Sequence, residues 1–447
     1  MKRPLLFKLS TIAFLTLFLM IPITMINGII DERKSSQKQV IQEIAKSSSY
    51  SQKLVGPVLV IPYTKKMKEW KVDADTRARY QVDSLEKLQL YFLPSIFEVD
   101  GQLKTERLSR GIYEARLYHA NNTISGHFDV PANYGVEGDL SDYDFESPYL
   151  AMGIKDIRGI ESLNILINNE IVKMESGAKL KILGEGAHAT LKQFDFLQKN
   201  ILHFELDIVL GGTESLSIIP IGRESKVKLS SDWPHPSFMG DYLPTERKVE
   251  ATGFSARWQT SYFSSNLEES FNQCVFSGEC GVFQSRFFGV SLINPVDQYV
   301  KSDRAIKYAL LFVGLTFAGF FLFEILKRLA IHPIQYGLVG LSLAFFYLLL
   351  VSLSEHIAFS TAYLLSSSAC IFLIGFYVTY VLKSIIRGGI FSALLATLYG
   401  LLYGLLSAED YALLMGSLLL FGLLGVFMIL TRNLDWYSIG RTEKAEV

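Results

Sequence analysis

The last third of the chain is written in hydrocarbon, and its charges sort by side. Four apolar runs, residues 334–354, 357–382, 388–408 and 411–431, contain no Asp, Glu, Lys or Arg. Crossing a bilayer takes about 20 apolar residues at about 1.5 Å of rise each, so every run is long enough. The connections alternate in sign. Lys327 and Arg328, then Lys383 and Arg387, then Arg432, Arg441 and Lys444 mark one side. Glu355-His356 and Glu409-Asp410 mark the other, with no Lys or Arg. The positive-inside rule makes the basic side cytoplasmic.

Two further spans are expected. Residues 9–30 are charge-free behind Lys2, Arg3 and Lys8. A cleaved signal peptide is the rival reading, but the exit Thr24-Met-Ile-Asn-Gly-Ile-Ile30 lacks a small-x-small site, which favours an uncleaved anchor. Residues 308–323 form a short span that Lys307 and Glu324 extend if they snorkel to opposite interfaces. Six spans from an internal N-terminus return the C-terminus to the cytoplasm. Arg33, Lys34, Lys301, Arg304 and Lys307 fall outside, flanking a very long loop where the charge rule loses force.

That loop, residues 31–304, reads as a water-soluble domain. Its apolar stretches are short and rich in β-branched and aromatic residues: 55–63, 88–93, 112–118, 162–167, 202–210, 215–221, 226–230, 254–260 and 287–293. Val99-Asp-Gly-Gln102 and Leu210-Gly-Gly-Thr213 read as turns between strands, and residues 31–51 as a polar extension of the first helix. The expected fold is a membrane protein of six transmembrane α-helices with a large, mainly antiparallel β domain between the first two. Its parts are an anchor (1–30), a periplasmic β-rich domain (31–304), a five-helix bundle (305–431) and a cytoplasmic tail (432–447). Leu93-Pro94 with Glu106-Arg107 and Gly111 has a counterpart in Leu243-Pro244 with Glu246-Arg247 and Gly253, so tandem β modules and a single unit both stay open. Residues 297–304 enter the second span without a Gly/Ser-rich linker, so domain and bundle are expected to act together rather than as tethered parts.

Composition excludes some functions. A formal net charge of −1 and the absence of a cationic patch leave nucleic-acid binding without support; the expected partners are the lipid bilayer and other envelope proteins. No His-Glu-x-x-His helix, nucleophile elbow, phosphate-binding loop or dinucleotide fingerprint occurs, and no cofactor is expected. The seven histidines have no metal-ligand spacing, and no metal or catalytic residue is assigned. Cys274 and Cys280 bracket Val-Phe-Ser-Gly-Glu in the outer domain, where an oxidising compartment favours a disulfide. Cys370, alone in a span, reads as a packing residue, and Gly400, Gly404, Gly416, Gly422 and Gly425 as helix-packing faces.

Two polar features remain. Glu355 with His356, and Glu409 with Asp410, close tight loops on the outer side; they are either solvated turns or a converging cluster at the outer interface. Trp233-Pro-His-Pro-Ser-Phe238, with Gly240-Asp241, is a proline-locked loop, either a recognition surface (Trp233, His235, Phe238, Asp241) or a corner joining β elements.

Several strings carry a resemblance. Gln52-Lys-Leu-Val-Gly-Pro-Val58, Ser231-Asp-Trp-Pro-His-Pro-Ser-Phe238, Pro295-Val-Asp-Gln-Tyr299, His332-Pro-Ile-Gln-Tyr336, Ser354-Glu-His356 and Thr431-Arg-Asn-Leu-Asp-Trp-Tyr437 resemble the CreD family of bacterial inner-membrane proteins, over about residues 4–438. The resemblance implies a role in envelope integrity, including tolerance to an E-type colicin and responses to cell-wall-active agents. It supplies no reaction, ligand or catalytic residue. A non-enzymatic sensor, scaffold or interaction protein is the first reading. A membrane-embedded enzyme or lipid handler using Glu355, His356, Glu409 and Asp410 is the second.

Overall fold

The computed structural model describes residues 4–72, 79–292, 298–326, 331–407 and 412–432. By contacts the chain divides into two compact units, Gln39–Pro295 and Met1–Lys38 with Val296–Val447. Helix α1, Pro4–Ser47, contributes residues to both.

The β unit is built from strands β1 (Gln52–Val72), β2 (Arg79–Phe92), β3 (Ile96–Arg110), β4 (Tyr113–Val130), β5 (Tyr143–Phe145), β6 (Tyr149–Ile154), β7 (Ile160–Ile167), β8 (Glu170–Val172) and β9 (Glu175–Ser176). It continues through β10 (Gly186–Thr190), β11 (Asn200–Thr213), β12 (Ser215–Ile219), β13 (Glu224–Ser231), β14 (Ser237–Gly240), β15 (Glu246–Glu250), β16 (Gly253–Ser261) and β17 (Phe288–Ser291). Three short helices, α2 (Tyr262–Ser265), α3 (Leu267–Ser277) and α4 (Gly281–Ser285), lie between β16 and β17.

These strands form two sheets. One runs β14-β17-β12-β1-β6-β10-β9, with β2 and β5 also paired to β1; the other runs β15-β16-β13-β3-β4-β11-β7-β8. Pairing is antiparallel except between β1 and β12 and between β3 and β13. Period-two alternation sends one face of the second sheet inward: Leu202, Phe204, Leu206, Ile208 and Leu210 of β11 are buried. One contiguous core unites both sheets. Trp258 of β16 stacks on Phe288 of β17 at 5.4 Å between ring centroids, joining one sheet to the other, and its indole N–H donates to Tyr242 O at 3.1 Å. The two stretches with repeated motif order become the β3–β4 and β15–β16 hairpins of one sheet and share that core.

Each apolar stretch expected to be extended has its body on a strand; residues 93, 112, 220, 221, 287 and 292 fall just beyond strand ends, and 293 lies outside the described residues. The two glycine-bearing stretches expected to be turns also lie in strands. Val99–Gln102 lies inside β3, because Gly101 leaves room for the buried Asn122 and for Leu229, which a Cβ would meet at 2.6 Å. Leu210–Thr213 ends β11; at Gly212 a Cβ would fall 2.3 Å from the Tyr118 hydroxyl, which donates to Ser215 O. In both cases glycine serves a close approach within a strand. The helix α3 was not legible either, since only 31–51 reads helically in this domain.

A polar knot closes the start of the β unit. Arg158 holds both carboxylate oxygens of the buried Asp156, from Nε at 2.9 Å and Nη2 at 2.6 Å, and its Nη1 donates to Lys46 O, a terminal carbonyl of α1, at 2.6 Å. Tyr50 N donates to Asp156 Oδ2 at 2.9 Å. The buried Gln52 amide reaches the Asp156 carbonyl at 2.9 Å and accepts from the Asp156 N–H at 3.2 Å, imitating a strand partner.

The second unit is helical: α5 (Gln298–Lys307), α6 (Ala309–Leu326), α7 (Pro333–Ser354), α8 (Phe359–Val381), α9 (Ile385–Ser407) and α10 (Ala412–Thr431). Helices α1, α7, α8 and α9 are each long and apolar enough to cross a membrane; α5 and α6 reach that length only together, across a 47° bend. Helix α10 carries a shorter apolar stretch over Leu414–Val426. Close packing falls on glycines other than those expected. At Gly340 a Cβ would meet Leu19, at Gly375 Ser392 and at Gly388 Thr379; of the expected set, Gly416 has Leu405 and Tyr308 at ordinary contact distance, whereas Gly400, Gly404, Gly422 and Gly425 have no such neighbour among the described residues. Cys370 receives the Tyr399 hydroxyl at 3.1 Å and packs within the bundle.

The inter-sheet stack is testable. Trp258→Ala should cost the β unit about 3–5 kcal/mol, the range for truncating a buried aromatic. Trp258→Phe should cost clearly less, because a ring remains against Phe288. Calorimetric unfolding of the full-length protein in detergent measures both.

Candidate functional site

Two ionic clusters in the helical unit lie near opposite ends of the apolar stretch of α1. Residues 8 and 33 are about 38 Å apart along a helix of 1.5 Å rise, which matches a bilayer with its headgroup regions. At the first end, Glu324 is only 3% exposed. It pairs with Lys8 and accepts from the Tyr336 hydroxyl at 2.9 Å and the Ile331 N–H at 3.1 Å. Sequence reading has Glu324 snorkelling outward; the structure turns it inward. A carboxylate facing lipid is costly, and a lysine plus two hydrogen-bond donors inside the bundle lower that cost. The pairing joins residues 316 positions apart, which no local pattern reveals.

At the second end, Glu355 accepts from the Tyr299 hydroxyl at 3.2 Å and lies 3.2 Å from Arg33 Nε. Asp303 receives Lys307 at 2.9 Å and Lys34 at 3.6 Å. Several of the cations that look discordant in the charge pattern therefore have acidic partners. Glu355 engages Arg33 and Tyr299 rather than its neighbour His356, which is exposed. Glu409 and Asp410 lie outside the described residues.

In the β unit, the proline-locked loop leads from β13 of one sheet into β14 of the other. Trp233 is buried, its ring covers the Arg116 guanidinium at 3.6 Å, and its indole N–H donates to His235 O at 2.9 Å. Phe238 packs edge-on to Phe254 and Trp258. His235 and Asp241 face outward. The aromatic anchors thus belong to the core, and only the polar members of the set are presented to solvent.

Cys274, in α3, and Cys280, just before α4, are joined as a disulfide with Cα atoms 4.3 Å apart. Between them Phe276 stands 79% exposed. It forms part of the wall of a 650 Å³ cleft that no sequence motif marks. Among the described residues, no three His, Cys, Asp or Glu side chains gather for a metal ion.

Comparison with known proteins bears on the whole chain. A sequence model of a family described as "Inner membrane protein CreD" matches residues 4–437. The Inner membrane protein CreD of Escherichia coli strain K12 is 37% identical over 439 residues, covering 98% of this chain and 95% of the relative. Among solved structures, an M1 zinc metallopeptidase mutant from Deinococcus radiodurans aligns at 9% identity and a TM-score of 0.19, over 38% of each chain. The same organism's M1 zinc metallopeptidase aligns at 7% identity and a TM-score of 0.18, over 38% of each chain. At such scores the likeness carries no argument about fold or chemistry.

Two outcomes follow from this geometry. Lys8→Met leaves the buried Glu324 side chain without its cation, which should destabilise the helical unit by about 3–5 kcal/mol. Adding Glu324→Gln to Lys8→Met should recover most of that loss, as read by thermal denaturation of purified protein in detergent. For the disulfide, alkylation before reduction should leave Cys274 and Cys280 unmodified by mass spectrometry, and alkylation after reduction should label both.

Proposed function

Since the chain belongs to the CreD family of inner membrane proteins, we propose that it is a six-span envelope protein whose β unit works in the periplasm as a sensor or scaffold without catalytic turnover. The observation that carries this reading is the family match over residues 4–437 of a chain that combines apolar helices with a large β unit. Both termini are cytoplasmic in this arrangement. The charge sorting of Lys327, Lys383 and Arg432 against Glu355 and Glu409 supports it. So does the bent α5–α6 pair, which supplies a span where the apolar run alone is short. α10 supplies the sixth.

The role proposed is maintenance of envelope integrity, with tolerance to an E-type colicin and to cell-wall-active agents as its outward sign. The reading without turnover draws support from Glu355. The carboxylate on which an interfacial enzyme would rely is held by Arg33 and Tyr299, an arrangement suited to joining α1, α5 and α7 rather than to moving protons.

A periplasm-active reporter fused after Gly111 should be active, and one fused after Lys444 inactive. The reverse pattern contradicts the topology. Deleting the gene should shift tolerance to the colicin, and re-expression of the full chain should restore it.

A further inference from the structure

The 650 Å³ cleft of the β unit is within the usual range for small-molecule sites, about 300–1,000 Å³. Its floor is the face of one sheet, not an edge. Cross-strand pairing places Tyr91 of β2 and Tyr149 of β6 on either side of Val60 of β1, and Thr190 of β10 beside Tyr149. Gln89, two residues before Tyr91, lies on the same face. The polar groups on this floor are linked. The Tyr91 hydroxyl donates to Gln89 Oε1 at 2.8 Å, and Gln89 Nε2 reaches the Tyr149 hydroxyl at 3.4 Å. Lys179 hangs over the Tyr149 ring at 5.6 Å. Phe276 walls the cleft from α3, beside the Cys274–Cys280 link.

The lining selects among ligand classes. Lys87 and Lys179 face one carboxylate, Glu146, so the cleft holds one net positive charge and does not form a cationic cradle for phosphates. An acyl chain would set Ser147 and Thr190, both exposed to solvent in the open cleft, against hydrocarbon, at a desolvation cost. A strand-adding peptide would align along the outer edge of β2, which among the described strands pairs with β1 alone, whereas the groups lining this cleft are side chains on the sheet face. What fits is a ligand whose groups both donate and accept hydrogen bonds and whose ring faces are apolar. Sugar rings have that character: hydroxyls around the rim, C–H groups on the faces. The hydroxyl, amide and carboxylate groups meet the first, and the tyrosine and phenylalanine rings the second. Burial pushes the pKa of Tyr91 and of Tyr149 above that of a free phenol, which keeps both as hydroxyl donors.

We propose that this cleft binds a short oligosaccharide, with Gln89, Tyr149 and Thr190 addressing hydroxyls and Phe276 stacking on a sugar face. The assignment gives the sensor reading a ligand class. It is tested on purified protein, so a failed topology and a failed ligand are separate results.

The experiment is calorimetric titration of the full-length protein in detergent with tri-N-acetylchitotriose, maltotriose and trialanine. The expected result is saturable one-site binding of at least one saccharide, weakened about tenfold by Phe276→Ala and by Gln89→Ala, the size of one lost contact. Lys228→Gln, on the other sheet, should bind as the wild type does. Phe276 is exposed, so its variant keeps the fold, which a thermal scan verifies. Absence of saturable binding by both saccharides overturns the proposal. So does saccharide binding that neither cleft variant weakens, or saturable binding of trialanine alone.

Discussion

The β unit depends on a buried carboxylate and the arginine two residues beyond it. Asp156 is nearly enclosed, and Arg158 satisfies both of its oxygens while reaching the Lys46 carbonyl of α1. A helix end leaves carbonyls unpaired, and an arginine there answers both their hydrogen-bonding need and the dipole. The same carboxylate takes the Tyr50 N–H, and Gln52 completes the pairing two residues later. Ser49 and Thr213 then tie this turn to the end of β11 through Ser49 Oγ to Gly211 O at 2.8 Å and Thr213 Oγ1 to Ser49 O at 2.6 Å. The route from helix to first strand is thereby fixed by side chains on β1 and on the turn before β7. Arg158 also holds the Asp156 carboxyl below the usual carboxylate range. A depressed folded pKa means that this stabilisation is present above the ordinary carboxylate pKa and is lost as pH falls through the folded one.

The helical unit uses the same device twice. Glu324 with Lys8 and Tyr336, and Glu355 with Arg33 and Tyr299, each join a carboxylate to a cation on α1 and a tyrosine on another helix. Apolar packing between helices in lipid gains little from the hydrophobic effect, so polar contacts carry more of the specificity. A single helix thus meets both carboxylates, and its register against α6 and α7 follows.

Much of this was legible in the sequence, for identifiable reasons. Strands β11, β13 and β16 show period-two patterns, β1 a continuous apolar run, and the apolar runs of α7, α8 and α9 carry no Asp, Glu, Lys or Arg. What stayed hidden depended on partners far along the chain. Gly101 and Gly212 look like turn residues because the reason for each, Asn122 and Leu229 in one case and Tyr118 in the other, lies on neighbouring strands. Glu324 looks like an interfacial residue because Lys8 is remote. The proline-locked loop was read two ways, and the inward turn of Trp233 and Phe238 depends on Arg116, Phe254 and Trp258, which no local string contains. The cleft has no motif at all, being drawn from β2, β6, β10 and α3.

The family strings gain physical content here. Gln52 of the first string is a buried amide that stands in for a strand, and Tyr336 of another is a donor to Glu324. The account stands or falls on the junction at Asp156. Hydrogen–deuterium exchange on the full-length protein tests it directly. Peptides over residues 44–55 should exchange as slowly as those of β11, and Arg158→Ala should release that protection while the β3–β4 hairpin keeps its own. Rapid exchange over 44–55 in the unaltered protein, or no change in Arg158→Ala, would contradict it.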